Sequence, residues 1–315
     1  MFNLHPTTTT PVAFAPLPVR LVTVGDAASS IAVHVAGRLG TDRLPLICIP
    51  GYQRNMSDFT EFAPLLQRLM ATDWPVVLID LRGRGRSSYR PRAADYASPN
   101  DARDISAVVR ALGIEAAIFV GQGYGGQVIM ALGAERPTAI AGAVLIDAGP
   151  VTAPRGLVRL RNNLRQIGEL RGASGLRTTF RKMLVADYPG ATDSQFDRLT
   201  ERTHSIGANG RAHPLFDPAL IKLLDDFGQD DVLAPQWPLF DTLRGIPLMF
   251  LRTQFTDQLT SEILDEMMVR RPDATSLIIT NQGSPALLDH AEETRAIAEF
   301  VGIVVKSGER TLKRA

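Results

Sequence analysis

Cysteine occurs once in the chain, at Cys48, so an internal disulfide and a cysteine-based metal cluster are both excluded. The thiol falls in the apolar run Leu46 to Ile49, where a small buried core residue is a better reading than a reactive group. Excess charge is also missing. The 34 Lys and Arg against 33 Asp and Glu leave a formal +1, which offers no electrostatic footprint for nucleic acid. No apolar run reaches the roughly 18 residues needed to span a bilayer. Met1 to Pro18 lacks the basic start and apolar core of a secretory signal. A cytoplasmic protein with neither a nucleic-acid nor a membrane partner is expected.

What is present is ordinary for a globular chain: 45% apolar and 21% charged residues over 315 positions, enough for two average domains or one large α/β domain with an insertion. Thr7 to Thr10 and the prolines up to Pro18 read as an arm over 1–18. Val19 to Val24 and Ile31 to Ala36, separated by Gly25-Asp26, read as a hairpin. Strands at Pro45 to Ile49, Pro75 to Ile79, Ala116 to Val120 and Ala141 to Ile146 then alternate with helices at Ser57 to Met70, Asn100 to Leu112 and Tyr124 to Leu132. That alternation predicts an α/β fold with a mostly parallel sheet covered by helices on both faces. The ligand site then belongs at the carboxyl ends of the strands. The rhythm breaks over 151–238, read as a helical cap inserted into a core of 19–150 and 239–305. It resumes with strands at Pro247 to Leu251 and Thr275 to Ile279 and a closing helix from Leu288 to Val301, before a basic tail at 306–315.

Charge in the cap is uneven. Arg155 to Lys182 holds seven Arg and one Lys against Glu169 alone, whereas Asp187 to Asp231 is mainly acidic. Two readings stand: a cationic surface for an anionic ligand or a protein partner, and two solvated faces that pair with each other.

The most informative stretch is Val120-Gly121-Gln122-Gly123-Tyr124-Gly125-Gly126, a strand, a sharp turn and a helix in immediate succession. A GxSxG elbow places serine at the apex of such a turn with its hydroxyl over the sheet edge. Here the apex is Gly123, which tolerates a positive φ but has no atom with which to attack.

With this elbow, Ile47-Cys48-Ile49-Pro50-Gly51-Tyr52-Gln53-Arg54-Asn55, Asp80 to Ser87, Leu145 to Pro150, Trp237 to Phe240 and Leu251 to Thr260 resemble, in order, the segments of α/β-hydrolases outside their cap. The resemblance implies an α/β-hydrolase of the capped ester or carbon–carbon bond hydrolase type, with triad members in the order nucleophile, acid, histidine. Asp257 matches the acid. Ser284 aligns with the histidine position, so the resemblance implies a triad altered at Gly123 and Ser284. It also implies that the backbone N–H groups of Tyr52 and Tyr124 serve as oxyanion donors, with Gln53 and Arg54 as candidate polar lining. His290 is the alternative base, paired with Asp257 in an active hydrolase or lyase of non-standard chemistry, although six helical residues from Ser284 span about 9 Å. The expectation is a non-hydrolytic protein that binds a small ligand bearing a carbonyl or carboxylate, with no cofactor and no metal. A homo-oligomer or a protein partner bound through the basic cap segment is the remaining alternative.

Overall fold

In a computed structural model, residues 11–312 are described, with side chains through 308. Eight strands form one sheet in the order β1, β2, β4, β3, β5, β6, β9, β10. They are β1 (Arg20–Thr23), β2 (Ser30–Ala36), β3 (Leu46–Ile49), β4 (Val76–Ile79), β5 (Ala117–Gln122), β6 (Ile140–Ile146), β9 (Leu248–Thr253) and β10 (Thr275–Ile279). β2 runs antiparallel to β1 and β4, and every other pairing is parallel. The β3 strand shows why its run is apolar throughout. Ile47 and Ile49 join the core on one face, Leu46 and Cys48 the core on the other, and all four are fully buried.

Helices cover both faces. α1 (Phe62–Leu69) and α10 (Ala291–Leu312) supply Phe62, Leu66, Ile297, Phe300 and Val304 to one core. On the other face, α2 (Ser98–Ala111), α3 (Tyr124–Glu135), α8 (Trp237–Asp241) and α9 (Ser261–Arg270) supply residues such as Val108, Ile129, Phe240 and Met267. Between β6 and α8 lie α4 (Pro154–Gly168), α5 (Ala173–Leu184), α6 (Asp193–Glu201), a short antiparallel hairpin of β7 (His204–Ile206) and β8 (Ala212–Pro214), and α7 (Ala219–Lys222). These carry their own small apolar clusters.

Three segments differ from the sequence reading. The helix expected from Ser57 is a 3-10 turn at Met56–Phe59 followed by α1 from Phe62. Pro64 is the reason: it lacks an N–H, is tolerated in the first turn of α1, and would break a helix begun seven residues earlier. The closing helix starts three residues later than expected, because Leu288 has φ 53 and cannot be helical. It then runs on to Leu312, so positions 306–312 are helical and not a free tail. Of the segment read as an N-terminal arm, Thr7 to Thr10 lie outside the described residues, while Phe14 and Leu17 are buried and Arg86 stacks 4.6 Å from the Phe14 ring.

The two charge blocks of the cap meet. Arg165 bonds Asp225 at 2.6 Å, Arg177 bonds Glu201 at 2.8 Å, and Arg181 bonds Asp193. Arg159 reaches Asp187 at 2.7 Å. These exposed pairs set the charge pattern of the cap more than its stability, since such pairs contribute about 0–1 kcal/mol each.

Candidate ligand site at the elbow

At the turn between β5 and α3, Gly123 has φ 50 and ψ −114, a conformation that favours glycine. Its N–H donates to the Ile146 carbonyl at 2.7 Å, which ties the turn to β6. Two flanking glycines let the turn close. A Cβ at Gly121 would lie 2.6 Å from backbone atoms of Gly125 and Gly126, and one at Gly125 would overlap the Ile49 carbonyl oxygen and lie 2.8 Å from that of Pro50.

The loop after β3 and the loop after β4 are fixed to each other by buried Asp80, whose carboxylate accepts from the N–H of Met56 at 2.7 Å and of Arg86 at 2.9 Å. Arg84 is fully buried among three tyrosines, its guanidinium carbon 5.6, 5.4 and 5.3 Å from the rings of Tyr52, Tyr96 and Tyr124. Its Nε donates to the Tyr52 carbonyl at 2.7 Å, so this arginine has a structural role. Tyr52 and Tyr124 meet edge to face at 5.5 Å, and the Tyr124 hydroxyl donates to Asp101 at 2.8 Å. With burial pushing the Tyr52 hydroxyl up to about 12 and the Tyr124 hydroxyl in the same direction, neither is a nucleophile near neutral pH. The backbone is different: neither the Tyr52 nor the Tyr124 N–H has an acceptor among the described residues.

Above these donors lies a cavity of about 460 Å³. Its floor includes Tyr52, Gly123, Tyr124, Gln258 and Ser284, and its roof comes from cap side chains such as Leu160, Leu164, Phe180 and Leu184. Gln258, on the loop after β9, is the residue for which the sequence carries no signal. A Cβ added at Gly123 would overlap Oε1 of Gln258 and stand 3.4 Å from its Cδ. The glutamine amide therefore fills the space that a side chain at the apex would need. From the other end of the amide, Nε2 donates to Ser284 Oγ at 3.0 Å. Ser284 is also a polar neighbour of Asp147 and lowers the value of its carboxyl. Asp147, at φ 49 just after β6, accepts from the Thr253 N–H and hydroxyl, both at 2.7 Å. Thr253 and Asp147 form one hydrogen-bonded pair, and Ser284 and the amide over Gly123 a second beside it.

Burial pushes the Asp147 carboxyl up to about 6, against the Thr253 hydrogen bonds and the neighbouring Ser284 that pull it down. The folded chain holds this proton more tightly than the unfolded chain, whose value is near 3.8, so the contribution of Asp147 to stability falls as pH rises from about 4 to about 6. Relative to Asp147→Asn, the native chain is expected to lose roughly 2 kcal/mol of unfolding free energy across that window. Urea titrations of both proteins at pH 4.5 and pH 7 check this; a difference independent of pH contradicts it.

The other candidate residues are dispersed. Asp257 lines the cavity, but its carboxylate takes the Nε–H of cap residue Arg159 at 2.7 Å, and no hydrogen bond joins it to Ser284 among the described residues. Gly156 permits this approach of α4, since a Cβ there would come within 3.0 Å of the Asp257 carbonyl. Arg54 lines the cavity with its charge already committed to Asp58, at 2.8 and 2.5 Å, while Gln53 lines it half-buried. His290 is not brought to the elbow. Its side chain is 59% exposed, sits 3.5 Å from Asp289, and lines a separate cavity beside β10. The left-handed Leu288 breaks the helix on which its approach was reckoned. Buried His204 stacks on Phe180 and Phe216 in the cap and is held neutral, with burial lowering its value to about 3. Among the described residues, no group of three or more His, Cys, Asp or Glu could hold a metal ion, and no helix is long and apolar enough to cross a membrane.

A model of the alpha/beta hydrolase family matches residues 46–297. The chain belongs to this family. A relative from Cupriavidus necator, named 3-hydroxybutyrate-oligomer hydrolase, is 27% identical over 86% of this chain and 93% of its own length. A crystal structure of an alpha/beta hydrolase from Novosphingobium aromaticivorans superposes with a TM-score of 0.78 at 28% identity, covering 91% of this chain and 99% of that one. The E-2-(acetamidomethylene)succinate hydrolase structure has a TM-score of 0.71 at 20% identity, with coverage of 91% and 99%, and shares the fold. The eight-stranded sheet and the strand–turn–helix at Gly123 are the features of this family that position the cavity.

Proposed function

We propose that this alpha/beta hydrolase family member binds a small carbonyl-bearing ligand beneath its cap and does not hydrolyse it. One observation carries the reading: the space over the apex residue Gly123, where a nucleophile would stand, is filled by the amide of Gln258. No covalent intermediate can form on glycine. Ser284, at the position aligned with the catalytic histidine, accepts a hydrogen bond from Gln258 and is no base near neutral pH. Retained donors support binding. The unpaired N–H groups of Tyr52 and Tyr124, with the amino end of α3, favour a carbonyl oxygen even with no attack to follow. The apolar cap residues over the cavity suit a short acyl chain, in keeping with the 3-hydroxybutyrate oligomer for which the Cupriavidus necator relative is named.

A non-standard hydrolase built on Asp257 and His290 has no support, because Arg159 takes the first and the second lines another cavity. Docking through the basic cap segment is weakened by the internal pairing of Arg159, Arg165, Arg177 and Arg181.

Leu160→Trp, which adds bulk from the cap side, is expected to weaken binding of short acyl esters and amides at least about tenfold while leaving the far-ultraviolet circular dichroism unchanged. Titration calorimetry of the native chain and the variant reads this. Equal affinities for both would place the ligand elsewhere.

A further inference from the structure

We infer that the cavity selects a neutral carboxamide head on an apolar tail over the matching ester or carboxylate, and that Gln258 is the residue that reads the difference. This rests on the non-hydrolytic reading above and names its ligand class.

The hydrogen bond to Ser284 decides which end of the Gln258 amide faces the cavity. Nε2 of Gln258 donates to Ser284 Oγ at 3.0 Å, so the NH₂ end of the amide is taken. Ser284 Oγ accepts in this pair. Oε1 is thereby turned to Gly123, in a residue that lines the cavity, and it accepts no hydrogen bond among the described residues. The floor therefore presents two unpaired donors, the Tyr52 and Tyr124 N–H groups, together with the unpaired Oε1 of Gln258.

A carboxamide matches this set with its carbonyl oxygen on the donors and its N–H on Oε1. An ester supplies the oxygen but no donor, which leaves Oε1 desolvated and unpaired, and sites built to pair a donor reject analogues that lack it. A carboxylate is worse placed. It brings negative charge against Oε1 in a cavity that Asp257 also lines, and the neighbouring cations are already taken, Arg159 by Asp187 and Asp257 and Arg54 by Asp58. With no nucleophile at Gly123, the bound amide is not cleaved.

The test is titration of hexanamide, methyl hexanoate and hexanoate into the full chain at pH 7.5, for the native protein and for Gln258→Met, with Gln258→Ala as a second variant. The native chain is expected to bind the amide about tenfold or more tightly than either partner, and both variants to bring amide and ester within about threefold of each other. Native binding of ester or carboxylate as tight as that of the amide overturns the selectivity and leaves the non-hydrolytic reading standing. A preference that persists in both variants overturns the role of Gln258. Absence of binding by all three overturns this inference and the reading beneath it together.

Discussion

The triple substitution Gly123→Ser, Ser284→His and Gln258→Ala is expected to raise hydrolysis of a short-chain activated ester by about a thousandfold or more over the native chain. Triad members act as a unit, and losing one or all costs on the order of a million-fold in turnover, so restoring nucleophile and base together is what counts. The oxyanion donors need no repair, since the Tyr52 and Tyr124 N–H groups are unpaired. The backbone at position 123 already holds φ 50 and ψ −114 at the apex of the turn. The third change is required by packing. A serine Cβ would overlap Gln258 Oε1, and a displaced glutamine amide would still compete for the hydroxyl and for the new imidazole. The double substitution without Gln258→Ala is accordingly expected to fall well short of the triple. Gly123→Ala in place of Gly123→Ser, in the same triple background, reports the contribution of the hydroxyl and is expected to return activity to the native level. If it does not, the gain comes from the imidazole alone and the elbow is not positioned for attack.

Gly125→Ala is expected to destabilise the fold by about 3 kcal/mol or more, measured as a fall in the urea midpoint. The added methyl group would meet the carbonyl oxygens of Ile49 and Pro50, which are backbone atoms at the end of a fully buried central strand and cannot swing aside. The contrast is Gly175→Ala on the exposed surface of α5, where nothing lies within 4 Å of the new Cβ. There alanine is expected to add up to about 1 kcal/mol through helix propensity. Similar small effects at both positions would contradict the close packing of the elbow helix on β3.

Much of the core was legible because its signals are local. Apolar runs bounded by turn residues marked the strands, and the sequence Val120 to Gly126 marked strand, turn and helix without reference to anything distant. The absence of a side chain at Gly123 is read directly from the sequence, while the assignment of Ser284 to a histidine position came from the resemblance to α/β-hydrolases. Gln258 could not. It lies between Asp257 and Leu259 on an ordinary polar loop, and its meaning depends on a long side chain crossing to a turn 135 positions earlier in the sequence (258 − 123). Asp257 illustrates the complementary failure. Its position after β9 was clear, but the competition for its carboxylate came from Arg159 in the cap, where no motif guides the eye. The charge blocks of the cap were visible as blocks, and their mutual pairing needed the folded geometry. For His290, counting residues along a helix failed because one left-handed residue, Leu288, ends the regular geometry on which the count depends.

The central claim is binding without turnover, and it is tested most directly by following methyl hexanoate and hexanamide with the native chain by one-dimensional NMR. Bound fraction and product are read in the same tube, and intact-mass spectrometry checks for an acyl adduct. The account predicts saturable line broadening, ligand recovered unchanged after many hours, and no acyl adduct. Release of hexanoate from either compound at an enzymatic rate, on the order of 1 s⁻¹ or faster, would contradict it and assign a real reaction to other residues of the cavity.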